Sequence, residues 1–349
     1  MSSLEESQEA PLPESPVMTQ REAAEYPLPD SSGGTNPDEG SYTNPQDLPI
    51  SMTPVVINDG NTKKKYFGNI DFITLAIFSL ERPETVFIGG GAFGKTYRIK
   101  YTSNYYYVKS ILIEKRKFFF PEDYISAINI VEREITINID VTNKIPQHVS
   151  NIKAGYISVN DTGAQAYLIF EAPEGMVLSA LIEILPPQIN NYKYLRLYCM
   201  IKRAQNALNT LGYVHRDIKP DNIYVLTEGD IKNHGKILGC KLIDFGLTKK
   251  IGEVENLAGS PLYMPPDMIF NDAARKELKI PFSTRLYRGP VIKRRNDYSV
   301  DVIWKKIFRM GNAPVPDCES ADMAGGGRCR KKSRKCKPRK SKTRKSRSS

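Results

Sequence analysis

The sequence has few of the residues that build disulfide scaffolds or zinc sites. Its 349 residues include five cysteines, three histidines and one tryptophan. The cysteines are odd in number and irregularly spaced, so they fit neither a disulfide framework nor a set of zinc ligands. We therefore expect reduced thiols, as is usual inside cells, and no zinc site.

Long apolar runs are also missing. No stretch approaches the roughly 18 consecutive apolar residues that a transmembrane helix needs, so we predict no membrane partner. The N-terminus reads Met-Ser-Ser-Leu-Glu-Glu-Ser and has no basic region followed by an apolar stretch, so we expect no secretory signal. Hydrophobic residues make up 40% of the chain, which is enough for a buried core. The expected location is intracellular, in the cytoplasm or the nucleus.

The first segment of the chain has almost no basic residues, and the last segment has no acidic residues. Residues 1–60 contain eleven acidic residues and a single basic residue, Arg21, together with many prolines. Residues 328–349 contain thirteen lysines or arginines and no acid. Such segments cannot bury enough apolar surface to offset their ordering entropy, so we predict that both are disordered. We assign residues 61–310 to a folded domain and 311–327 to a linker.

Two short segments carry most of the chemical information. Residues 213–222 read Tyr-Val-His-Arg-Asp-Ile-Lys-Pro-Asp-Asn, and an Asp-Phe-Gly sequence begins at Asp244. The first segment, here called the catalytic loop, carries a carboxylate (Asp217), an ammonium (Lys219) and a carboxamide (Asn222). Phosphoryl transfer from ATP needs such a set, because a group must orient the attacking hydroxyl, a cation must neutralise the phosphate, and oxygen atoms must hold Mg²⁺.

These two segments resemble the catalytic loop (H-R-D-x-x-x-x-N) and the magnesium loop (D-F-G) of eukaryotic-type serine/threonine protein kinases, without a substitution. The resemblance implies an α+β, two-lobed protein kinase-like fold. A small β-rich N-lobe would occupy about residues 61–170, and a hinge would lie at 171–175. A mainly helical C-lobe would occupy 176–310, and it would be shorter than is usual for the family because disorder-like sequence begins near residue 311.

The resemblance also implies a role for each polar residue of the two loops. Asp217 would position the substrate hydroxyl and accept its proton, and Lys219 would neutralise the γ-phosphate. Asn222 and Asp244 would hold Mg²⁺, and Arg216 would tie the catalytic loop to the activation segment. A lysine two residues after the aspartate is the serine/threonine-kinase form. The expected substrates are therefore ATP, with Mg²⁺ as cofactor, and a protein that presents Ser or Thr.

A glycine-rich segment fits two phosphate-binding patterns. Residues 89–96 match both the P-loop and the glycine flap of kinases. A P-loop must open into a helix, whereas the alternating residues that follow Thr96 are typical of a strand. The kinase interpretation is therefore favoured. The expected nucleotide-binding residues of this segment are Gly89, Gly90, Gly91, Ala92, Phe93, Gly94, Lys95 and Thr96.

Lys109 ends a predicted strand, Tyr-Tyr-Tyr-Val-Lys, that resembles the V-A-I-K element of kinases. The resemblance implies that Lys109 holds phosphates and pairs with an acid on the following helix. Glu134 is the preferred partner, and Glu132 is the alternative. Four residues after Glu134 stands Asn138, where an apolar residue is expected, so the position of this helix is left open.

Residues 168–175, Leu-Ile-Phe-Glu-Ala-Pro-Glu-Gly, resemble the kinase hinge. The match implies that Phe170 is the gatekeeper and that the Glu171 carbonyl accepts a hydrogen bond from the adenine amino group. The usual second bond comes from a backbone N–H at the position of Pro173, which has none. One lost hydrogen bond costs about 0.5–1.5 kcal/mol, so we expect weaker ATP binding.

The activation segment, residues 244–267, has no obvious phosphorylation switch, because Thr248 lies too near Asp244 and Ser260 too near the substrate platform to serve as one. Residues 250–258 contain no Ser, Thr or Tyr, but they include Glu253 and Glu255. A fixed carboxylate near Arg216 would supply part of the charge of a phosphate. The alternative, that both glutamates are simply solvated, is equally consistent with the sequence.

Residues 294–299, Arg-Arg-Asn-Asp-Tyr-Ser, resemble the start of a buried helix of the C-lobe. In the family an aspartate of this helix braces the catalytic loop. The resemblance therefore implies this role for Asp297.

Two other functions compete with an active kinase. A pseudokinase or scaffold would explain Pro173, Asn138 and the shortened C-lobe. A nucleic-acid-binding or packaging protein would act through residues 328–349, because so dense a basic segment is expected to bind nucleic acids and other polyanions without sequence specificity. A compact kinase with such a tail is also consistent with an origin in a large DNA virus.

Overall fold

The computed structural model describes residues 49–91, 94–185, 191–231, 235–253, 258–266, 291, 293–308, 310 and 318. All of them belong to one compact unit, Leu48–Ser349. The basic segment 328–349 and nearly all of the linker lie outside these residues. Residues 267–290 also lie outside them, and so does the sequence after residue 310 apart from Cys318, on which the predicted shortening of the C-lobe depends.

The described strands are β1 (Val55–Asp59), β2 (Thr62–Phe67), β3 (Val86–Gly91), β4 (Gly94–Tyr101), β5 (Asn104–Glu114), β6 (Ile152–Val159), β7 (Gly163–Glu171), β8 (Gly175–Val177), β9 (Tyr213–Val214), β10 (Ile223–Glu228), β11 (Lys236–Leu242) and β12 (Lys249–Lys250). The described α-helices are α1 (Ile70–Phe78), α2 (Pro121–Lys144), α3 (Leu178–Ile184), α4 (Asn191–Thr210) and α5 (Arg294–Val302). Helix α5 continues as a π-helical turn over Ile303–Ile307.

Seven strands form an antiparallel sheet in the order β1-β2-β6-β7-β5-β4-β3. Successive side chains of a strand point to opposite faces, and β5 shows this alternation. Ile111 and Ile113 pack in one cluster with Ile135 of α2, whereas Val108 packs in another with Ile73 of α1. The sheet therefore has a helix on each face, and this first lobe is the predicted β-rich N-lobe.

The boundary predicted at residue 60 is wrong for the strand that precedes it. Strand β1 lies within the segment predicted to be disordered, and it pairs with β2 from Val55 opposite Tyr66 to Asp59 opposite Thr62. Gly60 turns the chain between the strands with a φ of 54°. A β-branched run followed by an Asp-Gly turn is a hairpin signal, which the acidic, proline-rich composition of the whole segment outweighed.

The second lobe surrounds α4. Leu197 and Ile201 of this helix belong to a core that includes Val225 of β10, Leu242 of β11 and Val300 of α5. Strands β11, β10 and β8 form a three-stranded sheet, and β9 pairs with β12. These two small sheets carry the catalytic loop and the Asp-Phe-Gly segment at their ends.

The prediction of reduced thiols is wrong for two cysteines. Cys199 of α4 and Cys318 form a disulfide across 119 residues, whereas Cys240 is a buried free thiol. Burial raises the pKa of the Cys240 thiol to about 12, so the thiol stays protonated. The pairing depends on how the chain returns to α4, and cysteine spacing does not carry that information. Among the described helices, none has the length and apolar character needed to cross a membrane.

Candidate active site

The glycine-rich segment is a hairpin between two strands. Strands β3 and β4 stay paired up to Gly91 opposite Gly94, and Lys95 and Thr96 belong to β4. A P-loop would continue as a helix, so the structure supports the kinase interpretation of this segment. The remaining two predicted residues, Ala92 and Phe93, lie outside the described residues.

Gly94 is required by its conformation and by its surroundings. Its φ is 122°, and a Cβ atom there would lie 2.4 Å from the carbonyl oxygen of Ser110. Any other residue would force the hairpin away from β5. The close approach places Thr96 directly opposite Lys109 on β5, so the glycine hairpin and the predicted phosphate-binding lysine lie side by side.

Lys109 joins three elements of the site. Its Nζ donates to Glu134 Oε1 on α2 at 2.7 Å and to Asp244 Oδ1 at 2.9 Å. Glu134 is the preferred partner of the two acids named above. The alternative, Glu132, instead binds Lys65 of β2 at 2.6 Å. An ion pair therefore links the sheet, α2 and the Asp-Phe-Gly segment.

The protonation of this cluster follows from burial opposed by charge. Burial alone would lower the pKa of Lys109, but the carboxylates of Glu134 and Asp244 raise it above its ordinary value. Burial likewise opposes ionisation of Asp244, yet the charge and hydrogen bond of Lys109 bring its pKa below the usual range. Burial raises the pKa of Glu134 while Lys109 opposes the shift. The 2.7 Å contact to an ammonium keeps this pair ionised.

Asn138 does not displace α2. It is buried, and its Nδ2 donates to the backbone carbonyl of Glu134 at 2.9 Å, one turn earlier in the same helix. The polar side chain thus satisfies part of its hydrogen-bonding capacity locally. The helix remains in the position that forms the Lys109–Glu134 pair.

Both oxygens of the Asp217 carboxylate are held by neighbours. Asn222 Nδ2 donates to Oδ2 at 2.9 Å, and the backbone N–H of Ser260 donates to Oδ1 at 2.8 Å. Lys219 Nζ lies 3.2 Å from Oδ2 and donates to Ser260 Oγ at 3.0 Å. The sequence interpretation placed Ser260 near the substrate platform but missed its contact with the catalytic carboxylate.

The two loops lie next to each other because β10 and β11 are paired. Ile223 lies opposite Leu242, and the N–H of Ile243 donates to the carbonyl of Asn222 at 3.1 Å. Asn222 Nδ2 is committed to Asp217, so its oxygen is the amide atom suited to a cation. Asn222 and Asp244 thus provide oxygen donors on adjacent loops, a set that fits Mg²⁺.

Two residues of these loops have strained backbones. Arg216 has a φ of 73° and Asp244 a φ of 63°, a left-handed conformation that residues other than glycine seldom adopt. His215 packs against Phe245, and burial lowers the pKa of His215. The imidazole is therefore neutral, and its Nε2 binds the Ile243 carbonyl at 2.9 Å. Strain that surrounding contacts maintain is typical of functional sites.

The predicted bracing role of Asp297 is wrong. Asp297 instead accepts hydrogen bonds from Lys202 and Gln205, each at 2.7 Å. Its neighbour Asn296 is fully buried and accepts the backbone N–H of Arg216. Adjacent helical residues point about 100° apart, so a one-residue error of alignment moves the side chain to another face. The helical spacing of the buried residues was the signal that would have identified Asn296.

A basic cluster lies beside the activation segment. A cavity of about 300 Å³ is lined in part by Arg133 of α2 and Lys249 of β12. Burial, reinforced by the charge of Arg133, lowers the pKa of Arg216 to about 10, and Glu253 partly opposes this shift. Arg133 Nη1 lies 4.0 Å from Glu253 Oε2. Glu253 thus lies among these cations, whereas Glu255 is outside the described residues.

The predicted hinge lies where the large sheet passes to the second lobe. Phe170 and Glu171 end β7, and Pro173 lies in the short link to β8. The Glu171 carboxylate binds Lys153 and Asn151, each at 2.7 Å. The hinge therefore lies between the two lobes. It is next to the first residues of β5, the strand that carries Lys109.

A glycine hairpin and a lysine–glutamate pair in a β-rich lobe, facing an Asp/Lys/Asn loop in a helical lobe, define the architecture of a phosphotransferase of the kinase type. The family model described as a protein kinase domain matches residues 84–281, more than half of the chain. The protein belongs to the protein kinase family. The predicted family and two-lobed fold are confirmed.

Several serine/threonine kinases are similar to part of the chain. A putative serine/threonine-protein kinase of Acanthamoeba polyphaga mimivirus is 31% identical over 208 residues, which cover 53% of this chain and 43% of the relative. The unc-51 serine/threonine-protein kinase of Caenorhabditis elegans is 27% identical over 192 residues, 53% of this chain and 21% of the relative. A Drosophila melanogaster serine/threonine-protein kinase is 30% identical over 188 residues, with 52% and 22% covered. The chain spans less than half the length of these relatives.

Proposed function

We propose that the protein is an active serine/threonine protein kinase, which transfers the γ-phosphate of ATP to Ser or Thr hydroxyls of proteins. The observation that carries the proposal is the contact of Lys109 with both Glu134 and Asp244, 2.7 and 2.9 Å away. The contact joins the sheet that carries Lys109 to the loop that carries Asp244, the predicted magnesium ligand. The similar mimivirus, nematode and fly proteins are named as serine/threonine kinases, which supports the same class of reaction.

Each residue of the site has a step that suits its chemistry. Asp217 would orient the acceptor hydroxyl and take its proton, and the N–H of Ser260 would fix the carboxylate in place. Lys219, 3.2 Å from Asp217, would neutralise the transferred phosphoryl group. A magnesium ion held by Asn222 and Asp244 would supply positive charge to the triphosphate.

The test is phosphate transfer from radiolabelled ATP to a basic protein substrate such as histone. Asp217→Asn should lower the rate by about 10²–10⁴-fold, the usual contribution of a positioned base, and should leave ATP binding nearly unchanged. Asp161→Asn, on an exposed turn of the first lobe, is the matched control and should retain the wild-type rate. An equal loss of binding and turnover in Asp217→Asn would contradict the role proposed for this residue.

A pseudokinase is the main alternative for the same site. It predicts that wild-type protein binds nucleotide but shows no transfer above the Asp217→Asn background. The Lys109 ion pairs and the held Asp217 carboxylate favour the active enzyme. A nucleic-acid-binding role of residues 328–349 falls outside the described residues and is treated as a separate prediction below.

A further inference from the structure

Two tyrosines from different lobes meet beside the hinge. Tyr107 lies on β5, two residues before Lys109, so the two side chains share a face of the sheet. Tyr224 lies on β10, two residues after Asn222, and its hydroxyl donates to the hinge carbonyl of Pro173 at 2.9 Å. If the proposed function is right, a nucleotide must reach from the hinge to Lys109. The two tyrosines therefore border the space for its base.

The tyrosines contact each other across this space. The Tyr107 and Tyr224 hydroxyl oxygens are 3.3 Å apart, and the ring centroids are 6.2 Å apart in an edge-to-face arrangement. A flat base held between two surfaces needs about 7 Å, twice the contact distance of carbon atoms. An edge-to-face pair joined through its hydroxyls leaves less than that. A base can enter only when the two rings separate.

The contact is part of a directed chain of hydrogen bonds. A phenol has one proton to donate, and Tyr224 gives its proton to the Pro173 carbonyl. The bond between the hydroxyls is therefore donated by Tyr107 to Tyr224. This chain links the sheet of the first lobe, the sheet of the second lobe and the hinge, and separating the rings would break its first bond.

The hinge offers little to a base in return. The N–H of Glu171 donates to the Asn151 carbonyl at 2.9 Å, and the N–H of Ala172 donates to the Tyr105 carbonyl at 3.1 Å. Pro173 has no N–H. Over these three hinge residues, each backbone donor that exists is already used within the protein. The base acceptor that such a donor would bind has no partner there. The Glu171 carbonyl remains as an acceptor, but a single hydrogen bond of about 0.5–1.5 kcal/mol discriminates only weakly between bases.

We infer that Tyr107 and Tyr224 form a bar across the nucleobase slot, and that the protein binds nucleoside triphosphates mainly through their phosphates, with little preference for adenine over guanine. The inference rests on the proposed function and deepens it. The glycine hairpin, Lys109 and the metal ligands provide the phosphate contacts. The bar, together with hinge residues 171–173 that offer no free backbone donor, reduces the contribution of the base.

The test measures binding of three probes by titration calorimetry: MgATP, MgGTP and magnesium tripolyphosphate, which carries no base. Wild-type protein should bind all three with similar affinity. Tyr107→Ala should raise MgATP affinity about tenfold, because the base can then stack on the Tyr224 ring that remains. One base–aromatic stack contributes about this much. Tyr224→Phe, which removes the hydroxyl bridge and keeps the ring, should give part of the gain. Neither variant should change tripolyphosphate binding.

Tyr97→Ala is the matched control. Tyr97 lies on neighbouring β4 opposite Val108, on the other face of the sheet, where it packs against Phe87. Its substitution removes a tyrosine from the same sheet without opening the slot, so all three affinities should stay at wild-type values.

Other outcomes would overturn the inference. If wild-type protein prefers MgATP strongly over both other probes, and Tyr107→Ala weakens MgATP, the tyrosines are stacking walls of an open slot. If wild-type protein transfers phosphate but neither variant changes MgATP affinity, the bar is wrong and the proposed function stands. If wild-type protein binds no probe and transfers no phosphate, the proposed function itself fails and the inference falls with it.

Discussion

The side-chain oxygen of Asn296 accepts the backbone N–H of Arg216 at 3.3 Å, across 80 residues of sequence. Arg295, the residue before it, is also buried and donates to the Arg216 carbonyl at 2.9 Å. Helix α5 therefore holds both polar backbone groups of a residue whose φ is 73°. Helix α5 therefore maintains the left-handed conformation of Arg216 through Asn296, and not through Asp297 as the resemblance to the kinase family had implied.

Replacing Asn296 should impair catalysis more than replacing its neighbour. Asn296→Ala leaves the buried N–H of Arg216 without its acceptor, which costs about 1–3 kcal/mol. We expect a lower melting temperature and a fall in kcat with little change in KM for ATP, because Asn296 positions the loop and touches no substrate. Asp297→Ala is the matched control, since Asp297 is 47% exposed in its side chain and such pairs contribute about 0–1 kcal/mol. A larger effect of Asp297→Ala would restore the original assignment.

The two glutamates of α2 should differ sharply. Glu134→Gln removes the buried charge that positions Lys109, the cation proposed to hold the phosphates. We expect kcat to fall by up to about 10²–10³-fold, the loss seen when a preorganised electrostatic group is removed outright. Glu132→Gln breaks only the more exposed pair with Lys65. We expect it to retain most of the wild-type activity. Steady-state transfer assays of the two variants decide, and equal activities would remove Glu134 from the proposed site.

Groups that lie close together along the chain could be predicted from the sequence. Asp217 and Asn222 share one loop, and their contact needs no long-range folding to be anticipated. The Lys109–Glu134 pair was predicted from the resemblance to kinases, because spacing alone did not distinguish Glu134 from Glu132. The Tyr107–Tyr224 contact spans 117 residues and joins two lobes. Such contacts depend on packing and register, for which neither tyrosine has a local signal.

The same distinction explains the error at the N-terminus. Composition averaged over residues 1–60 predicted disorder, and it concealed a five-residue strand at Val55–Asp59. Strand formation depends on pairing with β2, which in turn pairs with β6. A short β-branched run gains its stability from these neighbours and from the large sheet, not from the average of its own segment.

The basic segment 328–349 should bind polyanions through its charge alone. Lysines and arginines that neutralise phosphates release counterions, so affinity for duplex DNA should fall steeply between about 50 and 200 mM salt. Deletion of residues 328–349 should abolish most of this binding, and deletion of residues 1–48 should tighten it because the acidic segment competes for the same charges. DNA binding of the three proteins at two salt concentrations is the measurement. Unchanged affinity after deletion of 328–349 would exclude the tail.

Activity should not depend on phosphorylation of the activation segment. Glu253 lies 4.0 Å from Arg133 and partly opposes the burial that lowers the pKa of Arg216. A carboxylate here supplies about one negative charge, against nearly two for a phosphate. Phosphatase treatment of purified wild-type protein should therefore leave transfer unchanged. Loss of activity after treatment would show that a phosphate, and not the carboxylate, organises the segment.

Removing the Glu253 carboxylate should lower phosphate transfer, whereas dephosphorylation should not. Glu253→Gln leaves Arg133, Arg216 and Lys249 without the charge that this side chain contributes, and we expect transfer to fall several-fold because the segment is held less firmly. Glu253→Asp keeps the charge on a shorter side chain and should recover part of the rate. Glu228→Gln removes an exposed carboxylate that pairs with Lys236, away from this cluster and from the hinge, and controls for net charge. If Glu253→Gln retains the wild-type rate at low and high salt, the glutamate is a solvated side chain and the cluster has no regulatory role.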